Sequence, residues 1–359
     1  KGYKGRTTIV RLCVFCISAN FLYFCKWQLK LMENFVMKKN RLIFVLLLVG
    51  IYTCITCLSV SAEDNFWEKK WYPSKYGPND TRGALNLITP EKTKQALKLI
   101  KKHKVYDLGM EYYDGFPAYP PRYWKTWILF HGVKNPLGTN KVTYMEEVCN
   151  ISLGIGTQID GLGHIGIGDK YYNGFSYKEI AGASQLNKFG IEKITPIITR
   201  GILLDMTAYK RKSILGKNEE ITAKDVIGCL KKQRIKIQTG DAVLFYTGWS
   251  KLIETDPEKF NASEPGPSYD AAKYLVNNNV SMVGADTWGM ECVPNPNRDK
   301  KGWVFPVHTY LLPMNGVHIL ENFKLDELAK DKVYEFCLIL TAPKMRGMVQ
   351  AILQPIAIR

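Results

Sequence analysis

Gly154-Ile155-Gly156-Thr157-Gln158-Ile159-Asp160-Gly161-Leu162-Gly163-His164 is the stretch around which the chain is organised. It brings an amide, a carboxylate and an imidazole together in a glycine-dense segment that can turn sharply and approach an ion or ligand closely. Asp160 and His164 therefore stand as candidates to converge on one metal or one substrate. The competing reading is a turn whose aspartate caps backbone N–H groups and whose histidine is packed. A nucleotide site is excluded: Gly161-x-Gly163-x-x-Gly166 matches the dinucleotide fingerprint, but Ile167-Gly168-Asp169-Lys170 follows where a helix should open.

Working outward, the strand candidate Val142–Leu153 delivers the chain into this stretch. Upstream, Thr89-Pro90-Glu91 supplies a helix cap, a first-turn proline and a dipole-matched acid, which predicts a helix from Pro90 to about His103. Val105–Tyr113 reads as a strand. Phe116, Tyr119, Tyr123, Trp124 and Trp127 are strung along a proline-containing loop, with two readings open: a wall for an aromatic pocket, or packing against the core, the more frequent fate of aromatic side chains. Downstream, Thr199–Met206, Asp241–Thr247, Val280–Ala285, Val333–Leu340 and Val349–Ile358 read as apolar strands. Helices are predicted from the Thr222/Asp225 cap to about Arg234 and over Tyr269–Asn277. Strands and helices alternate without repeats, which defines an α/β unit. His308 in an apolar run and the pair Glu321-Asn322 form a second polar constellation, each with a purely structural alternative: a packed histidine and a capping glutamate.

The first part of the 359-residue chain reads differently. Met37-Lys38-Lys39-Asn40-Arg41 is a basic region, Leu42–Tyr52 an apolar core and Val60-Ser61-Ala62 a small-residue cleavage site, together a signal peptide over residues 37–62. An uncleaved membrane anchor is the alternative. Residues 1–36 read as a non-native upstream segment, and residues 63–359 as a single domain of a secreted or periplasmic protein. That part carries a net charge of +8, spread over Lys92, Lys94, Lys98, Lys101 and Lys102 on one helix and Lys210–Lys212 in a loop. No aromatic-interleaved basic motif accompanies it, so a solvated basic face is expected and nucleic-acid binding is not. Cys149, Cys229, Cys292 and Cys337 are too few and too widely spaced for a disulfide scaffold; export leaves room for one or two bridges.

Gly156-Thr157-Gln158-Ile159-Asp160 with His164, Gly284-Ala285-Asp286-Thr287, and His308 followed thirteen residues later by Glu321-Asn322 resemble the cyclase family that includes bacterial kynurenine formamidases and isatin hydrolases. The resemblance runs from Trp71-Tyr72-Pro73-Ser74 to the C-terminal strands. It implies a swivelling β/β/α domain with a mixed sheet flanked by helices, a homo-oligomer, and metal-dependent hydrolysis of an amide, lactam or ester in a small cyclic or N-acyl substrate. The family motif H-x-G-T-H-x-D-x-x-x-H is met with Gly154 at its first histidine and Gln158 at its second. By resemblance, Asp160, His308 and Glu321 would hold one divalent ion, Mn or Zn. His164 would serve acid/base chemistry, and Gln158 would coordinate through its amide oxygen or orient a substrate carbonyl. The two replaced histidines leave a second reading, a binding-only relative. No serine nucleophile competes, because Gly182-Ala183-Ser184-Gln185-Leu186 lacks the closing glycine of a nucleophile elbow.

Overall fold

Side-chain caps start the principal helices. Thr89 Oγ1 accepts the Lys92 N–H at 3.2 Å to open α1 (Pro90–Leu97). Thr222 and Asp225 exchange the reciprocal bonds of a capping box at α2 (Ala223–Gln233), and Ser268 caps α3 (Tyr269–Asn277). The computed structural model describes residues 66–296 and 302–359. The signal-peptide and upstream-segment readings of residues 1–62 lie outside the described residues. Among those described, no helix is long and apolar enough to cross a membrane. Trp67–Arg359 forms one compact unit.

The strands are β1 (Val105–Asp107), β2 (Trp124–His131), β3 (Tyr144–Ile151), β4 (Gln158–Asp160), β5 (Ile197–Asp205), β6 (Glu220–Ile221), β7 (Ala242–Tyr246), β8 (Gly266–Pro267), β9 (Met282–Ala285), β10 (His318–Glu321), β11 (Glu335–Leu340), β12 (Gln350–Ile352) and β13 (Ile356–Ile358). Nine of them form a mixed sheet in the order β1-β13-β11-β5-β7-β9-β10-β4-β12. Its centre, β5-β7-β9-β10, is parallel, and both flanks are antiparallel. The α/β class and the mixed sheet flanked by helices are as the resemblance implied.

Apolar runs in the central strands supply both faces, as parallel sheets require. Ile202, Leu204, Val243 and Phe245 pack toward Val226 and Leu230 of α2 and Leu275 of α3, whereas Leu203 and Leu244 join Ile159, Leu320 and Phe336 in the core of the other face. Each such side chain contributes about 1.5–3 kcal/mol by leaving water.

Several expectations are corrected. The first helix stops at Leu97 rather than near His103, because Leu99 and Ile100 close tighter turns and His103 takes a left-handed φ of 57°. The strand from Val105 ends at Asp107: Leu108 donates to the carbonyl of Pro355, and a proline has no N–H to return. Trp124 and Trp127 leave the predicted aromatic loop for β2, which pairs with β3 over eight residues as a separate exposed ribbon. Lys92 belongs to no solvated face; it is buried against Asp241, which Arg200 also contacts at 3.2 Å. Cys149, Cys229, Cys292 and Cys337 are all free thiols, so no bridge forms among them.

Candidate metal centre

Sheet register assembles the site. On β4 the period of two puts Gln158 and Asp160 on one face and sends Ile159 into the core on the other. Glu321 of β10 lies directly opposite Gln158, and Gln350 of β12 directly opposite Asp160. Four polar side chains from three strands thus share one buried face. Thr157 Oγ1 and Asn322 lock the ends together: Thr157 Oγ1 donates to the Asn322 carbonyl at 2.6 Å, and Asn322 Nδ2 donates to the Gly156 carbonyl at 3.1 Å. Gly156 takes φ +59°, and a Cβ there would meet the Tyr112 ring at 2.5 Å, so this turn requires glycine.

His308 arrives from the short helix α4 (Pro306–Thr309). One ligand atom from each of Asp160, His308 and Glu321 lies within 4.8 Å of the others, and all three residues are buried. His308 Nε2 stands 3.4 Å from Glu321 Oε1 and 3.7 Å from Asp160 Oδ2. The other ring nitrogen, Nδ1, is 2.6 Å from Glu291 Oε1, a carboxylate that also accepts the backbone N–H groups of Val307 and His308. Glu291 therefore fixes the ring and leaves Nε2 free to coordinate.

These residues fit a divalent ion. Asp160 Oδ2 is buried without a hydrogen-bond partner, although its other oxygen accepts from Gln350 Nε2 at 2.7 Å. Burial and the neighbouring Asp160 push Glu321 up to about 7, with His308 opposing. Burial works against the His308 imidazolium, yet hydrogen bonds to Glu291 and Glu321 push it up to about 10. In both shifts the cluster holds a proton where positive charge is wanted, and a cation answers the same demand. Two carboxylates and one imidazole suit Zn and Mn alike.

His164 stands beside this triad, its Nε2 3.9 Å from Asp160 Oδ2. Burial holds its pKa below the ordinary value, Asp160 opposing, so the ring is neutral near pH 7. It lines a cavity of about 190 Å³ with Tyr119, Arg122, Trp288, Phe305, His308 and Glu321. Gln158 is placed elsewhere. Its amide nitrogen donates to Glu321 and reaches Asp160 Oδ1 at 3.5 Å, while its oxygen is buried without a partner; it is not among the cavity-lining side chains.

The space left by Gly154 is filled from another strand. A Cβ at Gly154 would lie 2.6 Å from Gln350 Oε1, so the Gln350 amide occupies that volume while steadying Asp160. Glu291, Gln350 and Arg122 were absent from the sequence reading. Arg122 Nη1 donates to the Gly154 carbonyl at 2.6 Å and reaches the cavity. An acidic residue in the apolar run Met290-Glu291-Cys292 was the one available signal for Glu291.

The fold and this buried carboxylate–imidazole cluster define an α/β protein built around a candidate metal centre. The family model described as "Putative cyclase" matches residues 106–292, which include Gln158, Asp160 and His164 and end before His308. Among solved structures, a novel cyclase is 30% identical with a TM-score of 0.72, covering 79% of this chain and 98% of its own. Isatin hydrolase A from Ralstonia solanacearum is 19% identical with a TM-score of 0.54, covering 71% and 92%. An isatin hydrolase bound to the product analogue thioisatinate is 16% identical with a TM-score of 0.50, covering 75% and 98%. These last two share the fold. No curated protein matches the sequence. The chain belongs to the cyclase family.

Proposed function

We propose that the protein is a metal-dependent hydrolase that cleaves an amide, lactam or ester bond in a small cyclic or N-acyl substrate. One observation carries this reading: the coordinating atoms of Asp160, His308 and Glu321 converge within 4.8 Å beside a cavity that a neutral His164 also lines. A divalent ion bound by those three would supply Lewis acidity, polarising a carbonyl and bringing water toward ionisation near neutral pH. Glu291 holds His308 in the tautomer that presents Nε2, and Gln350 and Gln158 hold the carboxylates in place. His164 Nε2, uncharged near neutrality, accepts the proton from the attacking water and returns it to the departing nitrogen or oxygen. Trp288, stacked on Tyr119 with ring centroids 4.8 Å apart, and Phe305 give the substrate an apolar wall. A cavity of about 190 Å³ is near the ~150 Å³ that accommodates benzene, which suits a single ring or a compact acyl group.

The test is metal content and turnover together. Purified protein loaded with manganese or zinc should retain close to one ion per chain by elemental analysis and hydrolyse at least one member of a panel of formamides, lactams such as isatin, and lactones. Protein that binds neither metal would sink the mechanism and leave the binding-only relative. For export, the succession of basic, apolar and small residues over 37–62 is the support, and N-terminal sequencing of secreted protein should begin at Glu63.

A further inference from the structure

Arg122 reaches the cavity with no carboxylate to answer its charge. A guanidinium offers five N–H donors in a fixed fork and stays protonated. The Gly154 carbonyl takes one, from Nη1 at 2.6 Å, and among the described residues no carboxylate pairs with the rest. Arg200 shows the alternative: drawn into the interior, it meets Asp241 at 3.2 Å and Glu335 at 2.6 Å. Arg122 is half-buried, and a cation held partly out of water needs acceptors there.

Its position is fixed by a short turn. The Arg122 N–H donates to the Tyr119 carbonyl at 3.1 Å, and Pro120 and Pro121 between them each hold φ near one value. Four consecutive residues thus place both a cation and an aromatic wall, since the Tyr119 ring stacks on Trp288. Burial moves His164 down and Glu321 up, and in both cases the Arg122 charge acts downward, which puts it within electrostatic reach of the candidate centre.

We propose that Arg122 sets the specificity of this cavity by holding a carboxylate on the substrate. The substrate ring lies on Tyr119 and Trp288, and its acyl carbon faces Asp160, His308 and Glu321. The inference rests on the hydrolase reading and names its substrate class: a single-ring amide, lactam or ester that also bears a carboxylate. A divalent ion would match Asp160 and Glu321 and requires His308 to coordinate as the neutral ring. Glu291 is engaged behind that ring, and His164 is uncharged, so Arg122 is then the unmatched charge among the cavity-lining side chains. Its planar fork fits a carboxylate through two parallel hydrogen bonds. One guanidinium balances one carboxylate, whereas a phosphate monoester brings about −1.5 to −2 charges near pH 7 and would leave an excess in the site.

Calorimetric titration of zinc-loaded protein with benzoate and with nitrobenzene tests this. The two probes share a shape, differ in charge and have no acyl bond to hydrolyse, so binding is read apart from turnover. Wild type should bind benzoate about 10–100-fold more tightly than nitrobenzene. Arg122→Gln should bind the two alike, and Arg122→Lys, which keeps the charge and loses the fork, should fall between. A wild type that does not discriminate overturns the proposal. So does a preference that survives in Arg122→Gln, which would place the carboxylate on the ion. Should Arg122→Gln lose the wild-type circular dichroism spectrum, a crystal structure of the wild-type benzoate complex decides: carboxylate on the guanidinium supports the assignment, and carboxylate on zinc alone overturns it. In turnover, formanilide is compared with its ring-carboxylated analogues. Wild type should favour the carboxylated compounds, and Arg122→Gln should lose that preference chiefly through KM. Absence of all hydrolysis would count against the hydrolase reading and leave the benzoate comparison to judge Arg122.

Discussion

The three residues of β4 and the sixteen of the β2–β3 ribbon are opposites. β4 is wholly buried yet carries an amide and a carboxylate, whereas the ribbon is exposed yet carries tryptophan, isoleucine, phenylalanine and methionine. Each inverts the ordinary placement of polar and apolar groups, and each inversion signals something to be bound. Inside, an unsatisfied carboxylate oxygen calls for a cation; outside, two apolar strands stand exposed with no further strand beside them among the described residues. The contrast separates what the fold needs from what it offers to partners.

The largest expected effect comes from removing ligands inside. Asp160→Ala and His308→Ala should each abolish stoichiometric metal and reduce hydrolysis by about 1,000-fold or more, measured by elemental analysis and turnover; retention of metal in either would break the contrast. Next, Ile159→Ala, on the core side of the same strand, should cost about 2–5 kcal/mol of stability in denaturant melts. Glu291→Gln, which leaves the three coordinating atoms in place, should weaken metal affinity by about 10–100-fold, read by competition with a chelating dye.

A further effect is pH-dependent. Burial depresses His318, at the start of β10, to about 3. The folded state thus favours the neutral ring, so the stability it contributes is complete above the ordinary histidine pKa near 6.5 and is lost as pH falls from there toward 3. His318→Gln should flatten that part of a stability-versus-pH curve. The smallest effect is expected outside: Ile128→Ala, at an exposed position of the ribbon, should change stability by no more than about 0.5 kcal/mol in denaturant melts.

Elements with local signals were legible in the sequence. The Thr222/Asp225 box opens α2 and residues Tyr269–Asn277 form α3 as read. Asp160, His308 and Glu321 were picked out by motif, and the structure brings them together across 161 residues of chain. Gln350 was out of reach because its partner Asp160 is set by β12–β4 pairing, a contact 190 residues apart that no spacing encodes. The ribbon was missed for a different reason: Trp124 and Trp127 read as part of an aromatic loop, whereas they lie on β2. Trp127-Ile128-Leu129-Phe130 is a continuous apolar run, the pattern of a strand covered on both faces, and within one chain it is covered on neither. Lys92 likewise read as one lysine among many until Asp241 came from a distant strand to meet it.

The register of β4 between β10 and β12 makes the site obey parity rather than length. Loops between these strands can gain or lose residues without disturbing it, since Glu321 and Gln350 are placed by hydrogen-bonded pairing and not by distance along the chain. A one-residue slip of β4 against β10 and β12 would instead turn the strand over, presenting Ile159 to the candidate metal position and driving a carboxylate into the apolar core. A frame slip of a single step would erase the site.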